Sequence, residues 1–100
     1  MKGKVFISGK VTGLPANLAR LYFDQAEKCL TNLGYECVNP MKIVPQNATP
    51  AEAMTILLPI LTEQCSAIYF LANHIYSEGS KAEEVVARYF HKKILFEEEN

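Results

Sequence analysis

The stretch Ala67-Ile68-Tyr69-Phe70-Leu71-Ala72 is almost wholly apolar and is bounded by polar residues on both sides. A run of this length without polar alternation is typical of a strand that is buried on both faces, as in a parallel sheet. Residues 4–8 form a second apolar, partly β-branched run that ends at Gly9. These two runs predict a central sheet that is covered by helices on both sides.

Helical patterns alternate with predicted strands along the rest of the chain. Apolar residues at helical spacing predict a first helix between Asn17, the expected N-cap, and Gly34, the expected stop. Short strands are predicted at residues 35–38 and 94–96, and residues 41–49 are predicted to be a loop. Strands and helices that alternate in this way indicate βαβ units.

Two capping boxes predict where the other helices begin. The first, Thr49-Pro50-Ala51-Glu52, predicts a helix that continues toward Gln64 and is kinked by Pro59. The second, Ser80-Lys81-Ala82-Glu83, predicts a helix after a polar loop at residues 73–79. That helix carries an apolar stripe made of Ala82, Val85, Val86, Tyr89 and Phe90.

These elements predict one α/β domain over residues 1–100, a three-layer α/β/α fold of the flavodoxin or Rossmann-like type. Right-handed crossovers favour a four-stranded parallel sheet in the order 2-1-3-4. In that order the chain reverses direction between strands one and three, and ligands bind outside the carboxyl ends of strands at such a switch point. The loops at residues 8–13 and 73–79 are therefore the candidate binding loops.

Composition narrows the classes of function. The net charge is −1, so no basic surplus favours a nucleic acid polymer or an anionic membrane as partner. The three cysteines are widely spaced and form no CxxC motif, which predicts reduced thiols in a cytoplasmic protein and no zinc site. We expect no other metal and no cofactor. No run approaches the ~18 apolar residues of a membrane-spanning helix.

The first candidate loop reads Ser8-Gly9-Lys10-Val11-Thr12-Gly13. Its glycines would let backbone amides approach a ligand closely, and Lys10 and Thr12 would meet an anion. Neither the Walker spacing nor GxGxxG is present. The alternative is a tight strand-to-helix connection with a solvated lysine.

The second candidate loop leads through Ser77, Gly79 and Ser80 to Glu83. Helix N-terminal amides at Gly79 would favour an anion, with the two serines as further donors. Glu83, expected in the first turn, is a candidate nucleophile. The alternative is that Glu83 only completes the capping box begun by Ser80. His74, also in this loop, would either exchange protons or be simply solvated.

Several segments, taken together, resemble the nucleoside 2-deoxyribosyltransferase superfamily, and most closely its small bacterial and phage branch. They are Lys4-Val5-Phe6-Ile7-Ser8-Gly9, Leu33-Gly34-Tyr35-Glu36-Cys37-Val38-Asn39-Pro40, Cys65-Ser66-Ala67-Ile68-Tyr69, Ser77-x-Gly79-x-x-x-Glu83 and Lys92-Lys93-Ile94. The resemblance implies an oligomer whose sites lie near subunit boundaries.

The resemblance also implies roles for residues. Glu83 matches the glutamate that attacks the anomeric carbon of a 2-deoxyribosyl group. Ser77 and Gly79 match positions that hold the sugar's 5′ end or its phosphate, and a serine at the first is more like members that act on 5′-monophosphates. Gly9, Lys10 and Val11 match the loop that meets base and phosphate. The full set of predicted substrate-binding residues is Ser8, Gly9, Lys10, Val11, Ser77, Gly79 and Ser80.

Three positions depart from the pattern of active members. Phe6 stands where active members carry a tyrosine. Leu58 is the nearest equivalent of an aspartate that helps those members handle the departing base, and Ser66 stands where another acid is common. The sequence therefore leaves three interpretations. They are an enzyme that cleaves the N-glycosidic bond of a deoxynucleoside 5′-monophosphate, a nucleotide-binding module without turnover, and an interaction protein without a small-molecule ligand.

The helix at residues 50–64 is unusually rich in apolar residues, namely Met54, Ile56, Leu57, Leu58, Ile60 and Leu61. At 100° per residue these positions spread over more than one face. Because monomers rarely expose large apolar patches, the excess predicts a homodimer or larger assembly through this helix. The alternative is that a kink at Pro59 turns both halves of the helix inward.

Overall fold

Four parallel strands form the sheet in the computed structural model, which describes residues 3–97. The strands are β1 (Lys4–Ser8), β2 (Cys37–Val38), β3 (Cys65–Phe70) and β4 (Lys93–Phe96). Their order is β2-β1-β3-β4, and every neighbouring pair is parallel. The predicted α/β class, sheet type and strand order are confirmed.

The helices are α1 (Ala16–Asn32), α2 (Pro40–Ile43), α3 (Pro50–Gln64) and α4 (Glu78–Tyr89), with a 3₁₀ helix at Ala72–Tyr76. Helix α1 packs on one face of the sheet, and α3 and α4 pack on the other. No helix between residues 3 and 97 has the length and apolar content needed to cross a bilayer.

The core is divided between the two faces because successive strand residues point to opposite sides. On the α1 side, buried strand residues meet buried helix residues: Val5, Ile7 and Ala67 against Phe23, Ala26 and Leu30. On the α3 and α4 side the corresponding sets are Phe6, Ile68 and Phe70 against Leu57, Leu61 and Ala87. Strands β1 and β3 are therefore buried on both faces, as their lack of polar alternation predicts.

Element boundaries differ from the predictions in several places. Asn17 is not an N-cap, because α1 begins at Ala16 behind Pro15, whose φ of −54° already suits a helix entry. Gly34 does follow the helix end with a φ of +95°, as predicted. Strand β2 is shorter than residues 35–38, and β3 begins two residues earlier than predicted.

The region predicted as a loop at residues 41–49 contains α2. The Asn39 side chain accepts a hydrogen bond from the Met41 amide, and Pro40 occupies the first helical position. This is the same pattern of cap and proline that correctly predicts the start of α3 at Thr49-Pro50. The polar loop predicted at residues 73–79 is likewise largely the 3₁₀ helix.

The start of α3 confirms the first capping box. The Thr49 hydroxyl accepts from the Glu52 amide at 3.1 Å, and the Glu52 carboxylate accepts from the Thr49 amide at 2.9 Å. The helix runs through Pro59 to Gln64. All six of its apolar residues named above are buried or half-buried within the single chain, so the expected exposed excess is not present.

Helix α4 corrects the second capping box. Its N-cap is Ser77, whose side chain accepts from the Ser80 amide, and the helix begins at Glu78 rather than after Ser80. Ser80 and Glu83 are buried, whereas Val85 and Tyr89 of the expected core stripe are 70% and 75% exposed. The polar pair faces inward because its hydrogen-bonding partner, Ser8, lies beneath it.

Truncation of the core on the α3 side is expected to destabilise the fold. Leu61 is fully buried, so Leu61→Ala removes apolar contacts and leaves a cavity, which should lower the free energy of unfolding by about 2–4 kcal/mol. The matched control is Leu33→Ala at a 68% exposed position, where a change within about 0.5 kcal/mol is expected. Urea denaturation of the two variants measures the free energy of unfolding, and equal decreases in both would contradict the burial of Leu61 in the core.

Candidate functional site

A cavity of about 780 Å³ opens at the carboxyl end of β1, on the side of the sheet edge where the predicted switch point lies. Its walls are the loop after β1, the segment from α2 to the first turns of α3, and the beginning of α4. The structure brings every predicted site residue to this cavity: Ser8, Gly9, Lys10, Val11, Ser77, Gly79, Ser80 and Glu83.

Glu83 lies at the floor of the cavity and is only 5% exposed. Its Oε1 is 2.6 Å from the Oγ of Ser8, which donates to it from the last residue of β1. The Ser8 Oγ is also 2.8 Å from the Oγ of Ser80. Three buried polar side chains from β1 and α4 thus form one hydrogen-bonded chain.

The direction in which these hydrogen bonds are donated depends on the protonation of Glu83. Ser8 has a single hydroxyl proton, so when it donates to the Glu83 carboxylate, the contact between the serines is made by Ser80 donating to Ser8. When Glu83 carries a proton, its hydroxyl donates to Ser8, and Ser8 donates to Ser80. Both states of the carboxyl therefore keep their partners without rearrangement of the backbone.

Burial raises the pKa of Glu83 to about 7, because a carboxylate loses hydration inside the protein, and the hydrogen bond from Ser8 only partly offsets this. At neutral pH the carboxyl is consequently divided between its acid and its carboxylate. A carboxyl in this state at the floor of a cavity can serve as a nucleophile when ionised. The alternative that Glu83 merely completes a capping box is wrong.

Two glycines beside the cavity permit close packing, and neither has a positive φ. A Cβ on Gly9 would lie 2.5 Å from Cδ1 of Leu71, and a Cβ on Gly79 would lie 3.0 Å from Cε of Met54. Gly9 therefore lets the loop pass directly over the end of β3, where the Leu71 amide donates to the Ser8 carbonyl at 2.8 Å. Gly79 similarly lets α4 approach α3.

Lys10 places a positive charge at the start of α4. Its ammonium donates to the Tyr76 carbonyl at 3.1 Å, and its backbone amide donates to Oδ1 of Asn73 at 3.0 Å. Helix geometry leaves the amides of Glu78 and Gly79 without an intrahelical acceptor. The ammonium and the helix N-terminus together make this end of the cavity suitable for an anion.

His74 and the three departing positions lie away from the cavity. The Nδ1 of His74 is 2.8 Å from the Leu71 carbonyl, and its ring packs against Phe70 and Phe96. Phe6 is fully buried in the core, and Leu58 packs against this core. Ser66 is exposed near the amino end of β3. None of these residues is part of the cavity lining.

The part of the cavity wall that comes from α2, the following segment and α3 was not predicted from the sequence. It includes Met41, Val44, Gln46 and Met54, with Arg20 from α1 at the side. These residues form no motif, and they face the cavity only because α2 and the following segment fold back over the sheet. The one sequence signal was Asn39-Pro40, which marks the start of a helix in the supposed loop.

The fold and this cavity define a small α/β domain with a ligand-sized site at its sheet's switch point, built around a buried carboxyl. Residues 3–96 match the model of the family described as a domain of unknown function, DUF4406, and the chain belongs to that family. No curated protein and no solved structure matches it.

The raised pKa of Glu83 predicts a specific dependence of stability on pH. The unfolded carboxyl titrates near its ordinary value of 4.5 and the folded one near 7, so between these values the folded state holds a proton that the unfolded state has lost. The free energy of unfolding should fall by about 3 kcal/mol as pH rises through this window and should not change further from this group above it.

Urea denaturation at pH 5 and pH 8 measures this effect in comparison with Glu83→Gln, which should lack this contribution. The matched control is Glu84→Gln, at a neighbouring carboxylate that accepts from Arg88 at 2.9 Å on the surface. Identical pH profiles for wild type and Glu83→Gln would contradict the assignment.

Proposed function

We propose that this protein binds a deoxynucleoside 5′-monophosphate in the cavity and cleaves its N-glycosidic bond with Glu83 as nucleophile. The observation that carries the proposal is the buried carboxyl of Glu83, held by Ser8 at the floor of a cavity at the switch point. The resemblance of these segments to nucleoside 2-deoxyribosyltransferases supports the same role for Glu83.

The cavity combines polar and apolar groups, as the recognition of a nucleotide requires. Its volume of about 780 Å³ falls within the range of roughly 300–1,000 Å³ that small-molecule sites occupy. Lys10 and the N-terminus of α4 suit a phosphate, whereas Met41 and Val44 offer apolar surface for a flat base. The sugar would then lie over Glu83.

The reaction would proceed in two displacements. In the first, a carboxylate oxygen of Glu83 attacks C1′, the C1′–N bond breaks, and its electron pair leaves with the base, which takes a proton from solvent. In the second, water attacks C1′, the ester to Glu83 breaks, and the carboxylate is regenerated while a proton passes to solvent. The products are the free base and 2-deoxyribose 5-phosphate; a second base in place of water would give transfer.

Glu83 is better placed for the nucleophilic role than the other carboxylate of the cavity. Glu78 also lines it, but its side chain is 92% exposed and lies 3.4 Å from Lys81. Its carboxylate is therefore hydrated and screened, whereas the Glu83 carboxylate lacks hydration and is held at a defined position. Phe6 lacks the hydroxyl of the tyrosine that active members carry at this position. In this protein Ser8 supplies the hydroxyl that orients Glu83.

A second candidate function, nucleotide binding without turnover, is favoured by one observation. Phe6, Leu58 and Ser66 all lie outside the cavity lining, so these positions supply no acid to the departing base. Protonation of a leaving group contributes about 10²–10⁴-fold to rates of this kind. The two functions share the binding step and differ in whether base is released.

The nucleophile assignment predicts that wild-type protein releases free base from deoxynucleoside 5′-monophosphates. Glu83→Gln should lower the rate by about a thousandfold or more, since the amide cannot form the ester. Chromatography follows the free base, and mass spectrometry of acid-quenched protein should locate a deoxyribosyl phosphate ester on the peptide containing Glu83. Glu84→Gln is the matched control and should retain activity.

Base release that survives Glu83→Gln would overturn the nucleophile. If wild type releases no base, yet deoxynucleoside monophosphates raise its melting temperature, the binding function is selected. If neither effect occurs with a broad panel of nucleotides, both functions fail.

The acidity of Glu83 predicts the pH profile of the reaction. Because only the carboxylate attacks, kcat/KM should rise about tenfold per pH unit below 7 and level off above it.

The Ser8 hydrogen bond lowers the pKa of Glu83, so Ser8→Ala should move the midpoint of the profile to higher pH. Initial rates from pH 5 to 9 measure this. Ser66→Ala, at an exposed position outside the lining, should leave the midpoint unchanged, and an unmoved midpoint in Ser8→Ala would contradict the role of Ser8.

A further inference from the structure

Strand β4 has one unoccupied edge among the described residues, since β3 is the strand that pairs with it there. The Glu97 amide donates to the Phe70 carbonyl of β3 at 2.8 Å. Backbone groups of alternate residues in a strand point the same way within the sheet. Leu95 and Lys93 therefore direct their amides and carbonyls toward β3, whereas Ile94 and Phe96 direct theirs outward.

The sequence around this edge is its own complement in charge. It reads Lys92-Lys93-Ile94-Leu95-Phe96-Glu97-Glu98-Glu99, with basic residues before an apolar centre and acidic residues after it. An antiparallel copy centred on Leu95 would place Lys93 opposite the partner's Glu97. A parallel copy in register would instead set lysine against lysine and glutamate against glutamate.

We infer that two copies of this chain associate through antiparallel pairing of their β4 edges, centred on Leu95, to form one continuous sheet. In this register Ile94 lies opposite the partner's Phe96, and both direct their backbone groups outward. Each such pair exchanges two hydrogen bonds, and two-fold symmetry repeats the pair. The backbone direction is thus compatible with the register that the charge pattern favours.

Side chains that would face each other also lie on the same face of the sheet. Leu95 belongs to the α1 side, and alternation places Lys93 and Glu97 there as well. Ile94 packs on the α3 and α4 side, where Phe96 stacks on Phe70 with ring centroids 5.6 Å apart. Cross-strand contacts of the kind that stabilise sheets would therefore form on both faces.

The exposure of these residues fits an interface that is open in the single chain. Phe96 is 52% exposed, although it is an aromatic residue in the centre of the segment. An apolar edge strand is a hazard for aggregation unless something covers it. Self-pairing would cover it, whereas the six apolar residues of α3 are already covered within the chain.

Charge reversal tests the proposed register. Sedimentation velocity of wild type from low micromolar to submillimolar concentration should show a dimer of twice 11.2 kDa. Lys93→Glu should weaken dimerisation roughly tenfold or more, because like charges then face each other twice. Glu97→Lys should have the same effect, and it also removes the hydrogen bond that the Glu97 carboxylate accepts from the Ala72 amide at 2.9 Å within the chain. Mixing the two variants should restore wild-type affinity as a heterodimer, because opposite charges face each other again.

Lys81→Glu, an equal charge reversal on the surface of α4, should leave the dimer unchanged. Hydrogen exchange should show the Ile94 and Phe96 amides protected in the dimer and exposed on dilution, whereas the Leu95 amide stays protected in both. A monomer throughout the concentration range would overturn the proposal. So would a dimer that is insensitive to both reversals, or variants that fold but fail to associate when mixed.

Discussion

The burial of one carboxyl governs much of this structure. Glu83 loses most of its hydration on folding, and such a loss is tolerated only where a hydrogen-bond donor replaces water. Ser8 supplies that donor from the last position of β1 at 2.6 Å. The contact ties the end of the central strand to the start of α4, and so it sets which face of α4 meets the sheet.

The orientation of α4 has consequences on both of its sides. Inside, Ser80 and Glu83 reach the cavity, and Gly79 allows α4 to approach Met54 closely. Outside, Val85 and Tyr89 are left in solvent. The buried face of α4 carries a polar pair in place of the apolar stripe that pattern alone would assign to it, and the Ser8 partner lowers the cost of burying the carboxyl.

The topology explains why a chemically useful site forms in so short a chain. Reversal of direction between β1 and β3 separates the loops that follow them, and the gap between these loops is where the cavity lies. The same small sheet leaves β4 at its edge. Site and edge are thus two results of one strand order, and they involve different residues: Ser8 and Glu83 for the site, Ile94 and Phe96 for the edge.

Interactions between residues that are close in sequence allowed most strands, most helices and the candidate loops to be predicted. The apolar stretches of β1 and β3, the capping box at Thr49 and the stop at Gly34 depend on neighbours in the chain, so they predicted the central strands and most helices. The strand order then followed from the right-handedness of the crossovers. The two loops that hold the site followed from the strand order. Boundaries failed where local signals competed: Asn17 gave way to Pro15, and Ser80 to Ser77.

Tertiary structure alone decided the chemistry of the site. Nothing near Glu83 in sequence shows that Ser8, which is 75 positions away, donates to it, or that burial raises its pKa to about 7. Nor could the sequence show that Met41 and Gln46 line the same cavity. Hydration and hydrogen bonding depend on which distant groups come together in space, and only the packed chain specifies them.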